Sequence, residues 1–158
     1  MVIGSQEKHW IDPKRIRDFV FEELSSRIVV SPSTTIVSGE SPGGGPDIWA
    51  REWAESKGVK FAAFDPNRSP FVDLGVPGKY HARNQAMVDY TKENDGEAIA
   101  FWTGNRVRSG TYSTILKTRR AGVPLVVLTI IKHQLKYLVS EETFFQNEFG
   151  GRLFTFLV

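Results

Sequence analysis

The sequence contains no cysteine among its 158 residues, which excludes disulfides, thiolate zinc sites and a cysteine nucleophile. A thiol-free chain also fits a reducing compartment. Long apolar runs are missing too. The longest strongly apolar stretch, Pro124–Ile131, falls far short of the roughly 20 residues a membrane-spanning helix needs. The opening Met-Val-Ile-Gly-Ser-Gln-Glu-Lys-His lacks the apolar core of a signal peptide, so a cytoplasmic location with no membrane partner is expected. Charge excess is absent as well: 20 Lys and Arg against 18 Asp and Glu leave a net +2, so a general grip on nucleic acid is not expected. Small basic groups at Arg106/Arg108, Lys117/Arg119/Arg120 and Lys132/Lys136 read as solvated faces, the alternative being that one of them binds a polyanion. Only three histidines occur, His9, His81 and His133, far apart and without metal-ligand spacing. Neither a metal nor a cofactor is expected.

What is present suits one soluble domain over residues 1–158, with 41% hydrophobic and 24% charged residues, no internal repeat and no low-complexity linker. Helical and strand patterns alternate. Val2–Gly4 reads as a short strand. Asp12-Pro13 caps a helix in which Ile16, Phe19, Val20 and Leu24 recur at helical spacing. Strands are expected at Thr34–Ser38, Val59–Phe64, Ala98–Trp102 and Leu125–Ile130, the last almost wholly apolar, as for a strand buried on both faces. Helices are expected at Asp47–Lys57, Tyr80–Glu93 and Thr111–Ala121. Strands separated by helices of about a dozen residues imply βαβ units. The expected fold is therefore α/β and Rossmann-like, with a mainly parallel central sheet and helices on both faces. Residues 132–158 are less regular and suggest a short helix near Glu141–Asn147 and a closing strand, Leu153–Val158. The loop Asp65–Lys79, with Pro66, Pro70 and Pro77, is long enough for a lid or binding loop, or is a surface excursion held by its prolines.

The richest stretch follows the second strand: Ser38-Gly39-Glu40-Ser41-Pro42-Gly43-Gly44-Gly45-Pro46-Asp47 leads from the strand into a helix. Glycines at 39, 43, 44 and 45 ahead of a helix N-terminus favour a close approach of backbone N–H groups to an anion, most often a phosphate. No Gly-Lys-Ser/Thr follows, so this is not a Walker A loop, and the dinucleotide Gly-x-Gly-x-x-Gly is not matched. A second loop, Gly104-Asn-Arg-Val-Arg-Ser-Gly-Thr111, follows the strand Ala98–Trp102 and opens another helix. In an open parallel sheet both loops lie beyond strand carboxyl ends, on one rim.

Several pieces resemble the SLOG superfamily, in particular its small YspA/YpsA-like branch. They are Gly4-Ser5 after the first strand, Ser38-Gly39 with the glycine stretch and Asp47, Ala-x-x-Trp-Ala, Arg83-Asn84-Gln85-x-Met87, and Ala100-Phe101-Trp102 followed by Ser109-Gly110-Thr111. The resemblance covers roughly residues 2–131. It implies a Rossmann-like sheet that binds nucleotides or nucleotide-derived ligands. Some relatives sense signalling nucleotides, the Lonely-guy enzymes hydrolyse nucleotide phosphoribosides, and DprA relatives bind single-stranded DNA. The Lonely-guy motif Pro-Gly-Gly-x-Gly-Thr-x-x-Glu ends in a catalytic glutamate, whereas this chain has Thr114 there. A hydroxyl does not replace that carboxylate.

The resemblance and the residues together give a set of expectations. Gly4, Ser5, Ser38, Gly39, Gly43, Gly44, Gly45, Ser109, Gly110 and Thr111 line the ligand, with backbone amides at 39–46 and 109–111 holding phosphate. Arg83 either clamps phosphate or pairs with Asp89 or Glu93. Asn84 caps a helix or hydrogen-bonds a base or ribose. Asp47 and Glu40 contact ribose or, in a hydrolase, supply the acid, with Asp65 a further candidate. Trp102 and Trp10, each just after a strand end, offer a ring to a base or to the core. Trp49 and Trp53 share a helix face that serves packing or a homodimer interface. The preferred expectation is a binding, sensing, sequestering or carrier protein for a nucleotide-derived small molecule. The rivals are a hydrolase of an N-glycosidic or phosphate bond and a DprA-like single-strand DNA binder.

Overall fold

The computed structural model describes residues 1–76, 78–107, 109–133, 136–144 and 154–157. Its strands are β1 (Val2–Gly4), β2 (Thr35–Ser38), β3 (Lys60–Ala63), β4 (Ala98–Trp102), β5 (Leu125–His133), β6 (Lys136–Phe144) and β7 (Phe154–Leu157); its helices are α1 (Pro13–Arg27), α2 (Pro46–Lys57), α3 (Gly78–Glu93) and α4 (Gly110–Ala121). Local chemistry fixes most helix ends. The Asp12 carboxylate accepts the Arg15 N–H and Pro13 opens α1, while Ser109 accepts the Tyr112 N–H at the start of α4. Helices α2 and α4 both stop at glycines in the left-handed region, Gly58 (φ 63°) and Gly122 (φ 74°).

The architecture is α/β with a mainly parallel centre, a Rossmann-like three-layer arrangement. The main sheet runs β1-β4-β5-β6-β7. Strands β1, β4 and β5 are parallel, with Val2 opposite Ile99 and Ala98 opposite Leu125; β6 is antiparallel to β5, and β7 to β6. Strands β2 and β3 form a separate parallel pair beside β1. Alternation along the strands splits the core in two. Val2, Ile99, Phe101, Leu128 and Ile130 pack on one face with Ile16, Val20 and Leu24 of α1 and Trp49, Ala50 and Trp53 of α2. Ile3, Ala98, Ala100, Trp102, Leu125 and Val127 pack on the other, against Val88 of α3 and Ile115 of α4. Trp49 and Trp53 are thus buried within the chain itself, and the Trp53 indole N–H donates to the Ser25 hydroxyl at 2.9 Å.

The tail departs from expectation. Residues Glu141–Phe144, expected in a short helix, belong to β6; positions 145–147 of that expected helix lie outside the described residues. The physical reason is the open edge of β5, which β6 pairs along its whole length from Lys136 to Phe144. Tyr137 and Val139 turn to the α1–α2 face, and Glu141, in step with them, is met by Arg27 at the end of α1 at 2.8 Å. The expected closing strand is present as Phe154–Leu157, and Leu153 and Val158 lie outside the described residues. Among the described residues, no helix is long and apolar enough to cross a membrane.

Candidate functional site

Beyond the carboxyl ends of β1 and β4 lies a cavity of about 450 Å³. Gly4 and Ser5 at the end of β1, Thr103 after β4, Asp47 at the start of α2, Tyr80, Arg83 and Asn84 on α3, and Ser109, Gly110 and Thr111 at the start of α4 all line it. This is the rim where parallel sheets place their ligands.

The glycine loop contributes differently from the phosphate cradle expected of it. Its glycines make room for the chain's own segment 5–7. A Cβ on Gly43 would collide with the Gln6 side chain, one on Gly44 with Glu7, and one on Gly45 with the Ser5 carbonyl. The Glu7 N–H donates to the Gly43 carbonyl at 3.1 Å, which ties the two segments. Gly44 (φ 67°) and Gly45 (φ 90°) also need backbone angles that side chains disfavour. The first turn of α2 carries its own acidic group, Asp47, whose carboxylate accepts the Gly4 N–H at 3.2 Å. Ser38, fully buried, donates its hydroxyl to the Asp47 carbonyl at 3.0 Å. Gly39 lies beneath the Arg83 guanidinium, where any Cβ would overlap Nη1. Glu40 adopts φ 44° and is held by Arg51, and it does not line the cavity.

The start of α4 faces the cavity with less obstruction. Ser109 caps the Tyr112 N–H, and the Thr111 hydroxyl donates to the Gly4 carbonyl at 2.8 Å, tying α4 to the end of β1. At Gly110 there is open space where a side chain would be. Among the described residues, the Gly110 and Thr111 N–H groups have no acceptor. Thr114 also lines the cavity, and its hydroxyl donates to the Gly110 carbonyl at 2.9 Å. Trp102 is turned into the core, where it stacks on Tyr112 with centroids 5.3 Å apart and donates its indole N–H to the Asn105 carbonyl. Trp10 is buried and donates to the Ser5 carbonyl. Both rings therefore shape the loops around the cavity rather than its wall.

Two charged side chains are buried in the wall, Asp47 (7% exposed) and Arg83 (6%). Arg83 Nη1 lies 3.8 Å from Asp47 Oδ2, an ion-pair distance too long for a hydrogen bond. Among the described residues, Arg83 Nε is the one buried side-chain polar atom with no hydrogen-bond partner. Burial pushes the Asp47 carboxyl up from its ordinary 3.8 to about 6, against the pull of Arg83 and of the Gly4 and Ser41 amides. Burial likewise lowers Arg83, opposed by the charges of Asp47, Tyr80 and Asp65. Chemically, the wall thus offers guanidinium and backbone donors that are unsatisfied among the described residues, next to a carboxyl group raised to about 6.

Of the expected site residues, the structure gathers Gly4, Ser5, Asp47, Arg83, Asn84, Ser109, Gly110 and Thr111 around the cavity. Ser38 and Gly39 stand behind that wall, while Glu40, Gly43, Gly44, Gly45 and Trp102 lie elsewhere. Sequence reasoning did not single out Gln6, His9 (as a wall residue), Ser41, Tyr80, Thr103, Asn105 and Val107, all in the lining. Thr103 had a signal, since it follows β4 as Ser5 follows β1, and Ser41, Asn105 and Val107 lie in the two loops expected on this rim; Gln6, His9 and Tyr80 had none. Among the described residues, no three His, Asp or Glu side chains cluster as metal ligands do. Comparison with known proteins returns no matching family model, no matching curated protein and no matching solved structure.

Proposed function

We propose that this cavity binds a phosphorylated, nucleotide-type small molecule, and that the chain is a cytoplasmic binding or sensing protein of the SLOG type. One observation carries the reading: a buried arginine whose Nε has no partner among the described residues, and the first turn of α4, whose Gly110 and Thr111 N–H groups have no acceptor among them, line the same cavity. An oxyanion held there receives charge-assisted hydrogen bonds from Arg83 and the partial positive charge of the helix start. The size agrees as well, since small-molecule sites run to about 300–1,000 Å³. Ser5, Asn84 and Thr103 add hydroxyl and amide groups suited to a sugar or base.

A hydrolytic reading is favoured by Asp47 alone. A buried carboxyl group whose pKa lies near 6 suits general acid catalysis, and Asp47 rather than Glu40 lines the cavity. Incubation with a panel of nucleotides, followed by melting curves and mass spectrometry of bound and released material, separates the two. Intact nucleotide recovered with a raised melting temperature supports binding, and released base or phosphate supports hydrolysis. If no nucleotide shifts the melting temperature, the proposal fails.

A further inference from the structure

We infer that an anion entering this cavity drives a proton onto Asp47: the anion takes over the Arg83 guanidinium, and the carboxylate beside it is neutralised. This rests on the reading of the cavity as an anion site and adds how that site is regulated.

The geometry carries the inference. Asp47 and Arg83 are each more than nine-tenths buried, line one cavity and stand 3.8 Å apart. Arg83 has donors to spare: among the described residues its Nε has no partner and its Nη1 reaches only Asp47 at ion-pair distance and the Met87 sulfur at 3.9 Å. An oxyanion that bonds this guanidinium therefore sits within roughly 7 Å of the carboxylate, where two negative charges out of water repel strongly. The carboxylate has no route of escape. Its Oδ1 is held by the Gly4 N–H, its carbonyl by Ser38, and the preceding Pro46 is packed on Gly4. With movement blocked, protonation is the available relief, and a carboxyl group already raised to about 6 gives it readily.

Among the described residues, the cavity wall and the loops behind it bring further charged and titratable groups to this pair. From α3 come Arg83 and Tyr80, from the turn after β1 comes His9, and Asp65 after β3 acts on Arg83. On the glycine loop, Glu40 is paired with Arg51 of α2, and Glu7 lies across Gly44. The consequence is affinity that rises as pH falls. Between the inflection of free Asp47 and its higher inflection in the complex, binding takes up close to one proton, so affinity drops up to about tenfold per pH unit.

Sulfate is a suitable probe because its charge does not change across this range. The Asp47 carboxyl carbon is followed by NMR through a pH titration with and without sulfate, alongside the backbone amides of Gly110 and Thr111. Reading the carboxyl carbon directly keeps the assignment independent of His9. The expected result is an inflection that moves up by about one unit or more when sulfate saturates the amide shifts. Sulfate affinity should also fall with pH in the wild type, and fall less steeply in Asp47→Asn. Amide shifts without any movement of the Asp47 inflection would overturn this inference and leave the anion site standing. If sulfate moves neither the amides nor the carboxyl carbon, both readings fall.

Discussion

Replacing Asp47 by asparagine tests the electrostatics of the cavity wall without a ligand. The native state keeps a proton on this carboxyl group up to about pH 6, whereas in the unfolded chain it leaves near 3.8. Between those values the folded protein holds more protons than the unfolded one, so stability falls as pH rises through the window and recovers as pH falls. A rise from 3.8 to about 6 corresponds to about 3 kcal/mol. Against a typical total of roughly 5–15 kcal/mol this is a large effect for one side chain. Asparagine has nearly the same shape and does not titrate. Whatever fixed change it makes beside Arg83 is the same at every pH, so the informative quantity is how the stability difference varies. Urea unfolding of both proteins at steps from pH 4 to pH 7 should show the asparagine variant gaining about 2.4 kcal/mol on the wild type, since part of the full difference is already expressed at pH 4. A difference that stays constant with pH, or moves the other way, would refute the account of a carboxyl group dominated by burial rather than by its arginine.

Three further substitutions address the supports of the site. Gly39→Ala places a methyl group on the Arg83 guanidinium and forces it away from Asp47; a loss of about 1–3 kcal/mol and weaker nucleotide binding are expected by urea unfolding and titration calorimetry. Ser109→Ala removes the cap of α4, with an expected cost of about 1 kcal/mol and a drop in anion affinity as the helix start frays. Glu40→Gln weakens the partly buried pair with Arg51, so stability should change by about 1 kcal/mol and ligand binding should stay as in the wild type; a tenfold loss of binding would return Glu40 to the site.

The parts of the fold that were legible in the sequence are those where local pattern and tertiary role agree. Ile99 and Phe101 alternate with Ala98, Ala100 and Trp102, and the two sets do enter opposite cores. Asp12-Pro13 and Gly122 mark helix ends by chemistry that needs no distant partner. The stretch Glu141–Phe144 read as part of a short helix, but the edge of β5 was the stronger influence and is invisible locally. The glycine loop shows the same limit in the site. Its spacing announced that something comes close to the backbone, and the something is the segment Ser5–Glu7 and Arg83. A glycine records the need for space, not the identity of the neighbour. Arg83 and Asp47, by contrast, were legible as charges in helix first or second turns, though not as a buried pair.

The split between the β2–β3 pair and the main sheet has a mechanical consequence. No ladder joins β1 to β2, so the join relies on Asp47 with Gly4, Glu7 with Gly43, Pro46 on Gly4, and the packing of α2 on β1 and α1. Such a seam lets β2, α2 and β3 open as one cooperative unit while β4 and β5 stay closed, and amide exchange should reveal two protection levels with the lower one on Thr35–Ala63. Because both Asp47 and Arg83 border that seam, occupancy of the cavity would be felt as a slowing of exchange along a whole segment, well beyond the residues a ligand touches.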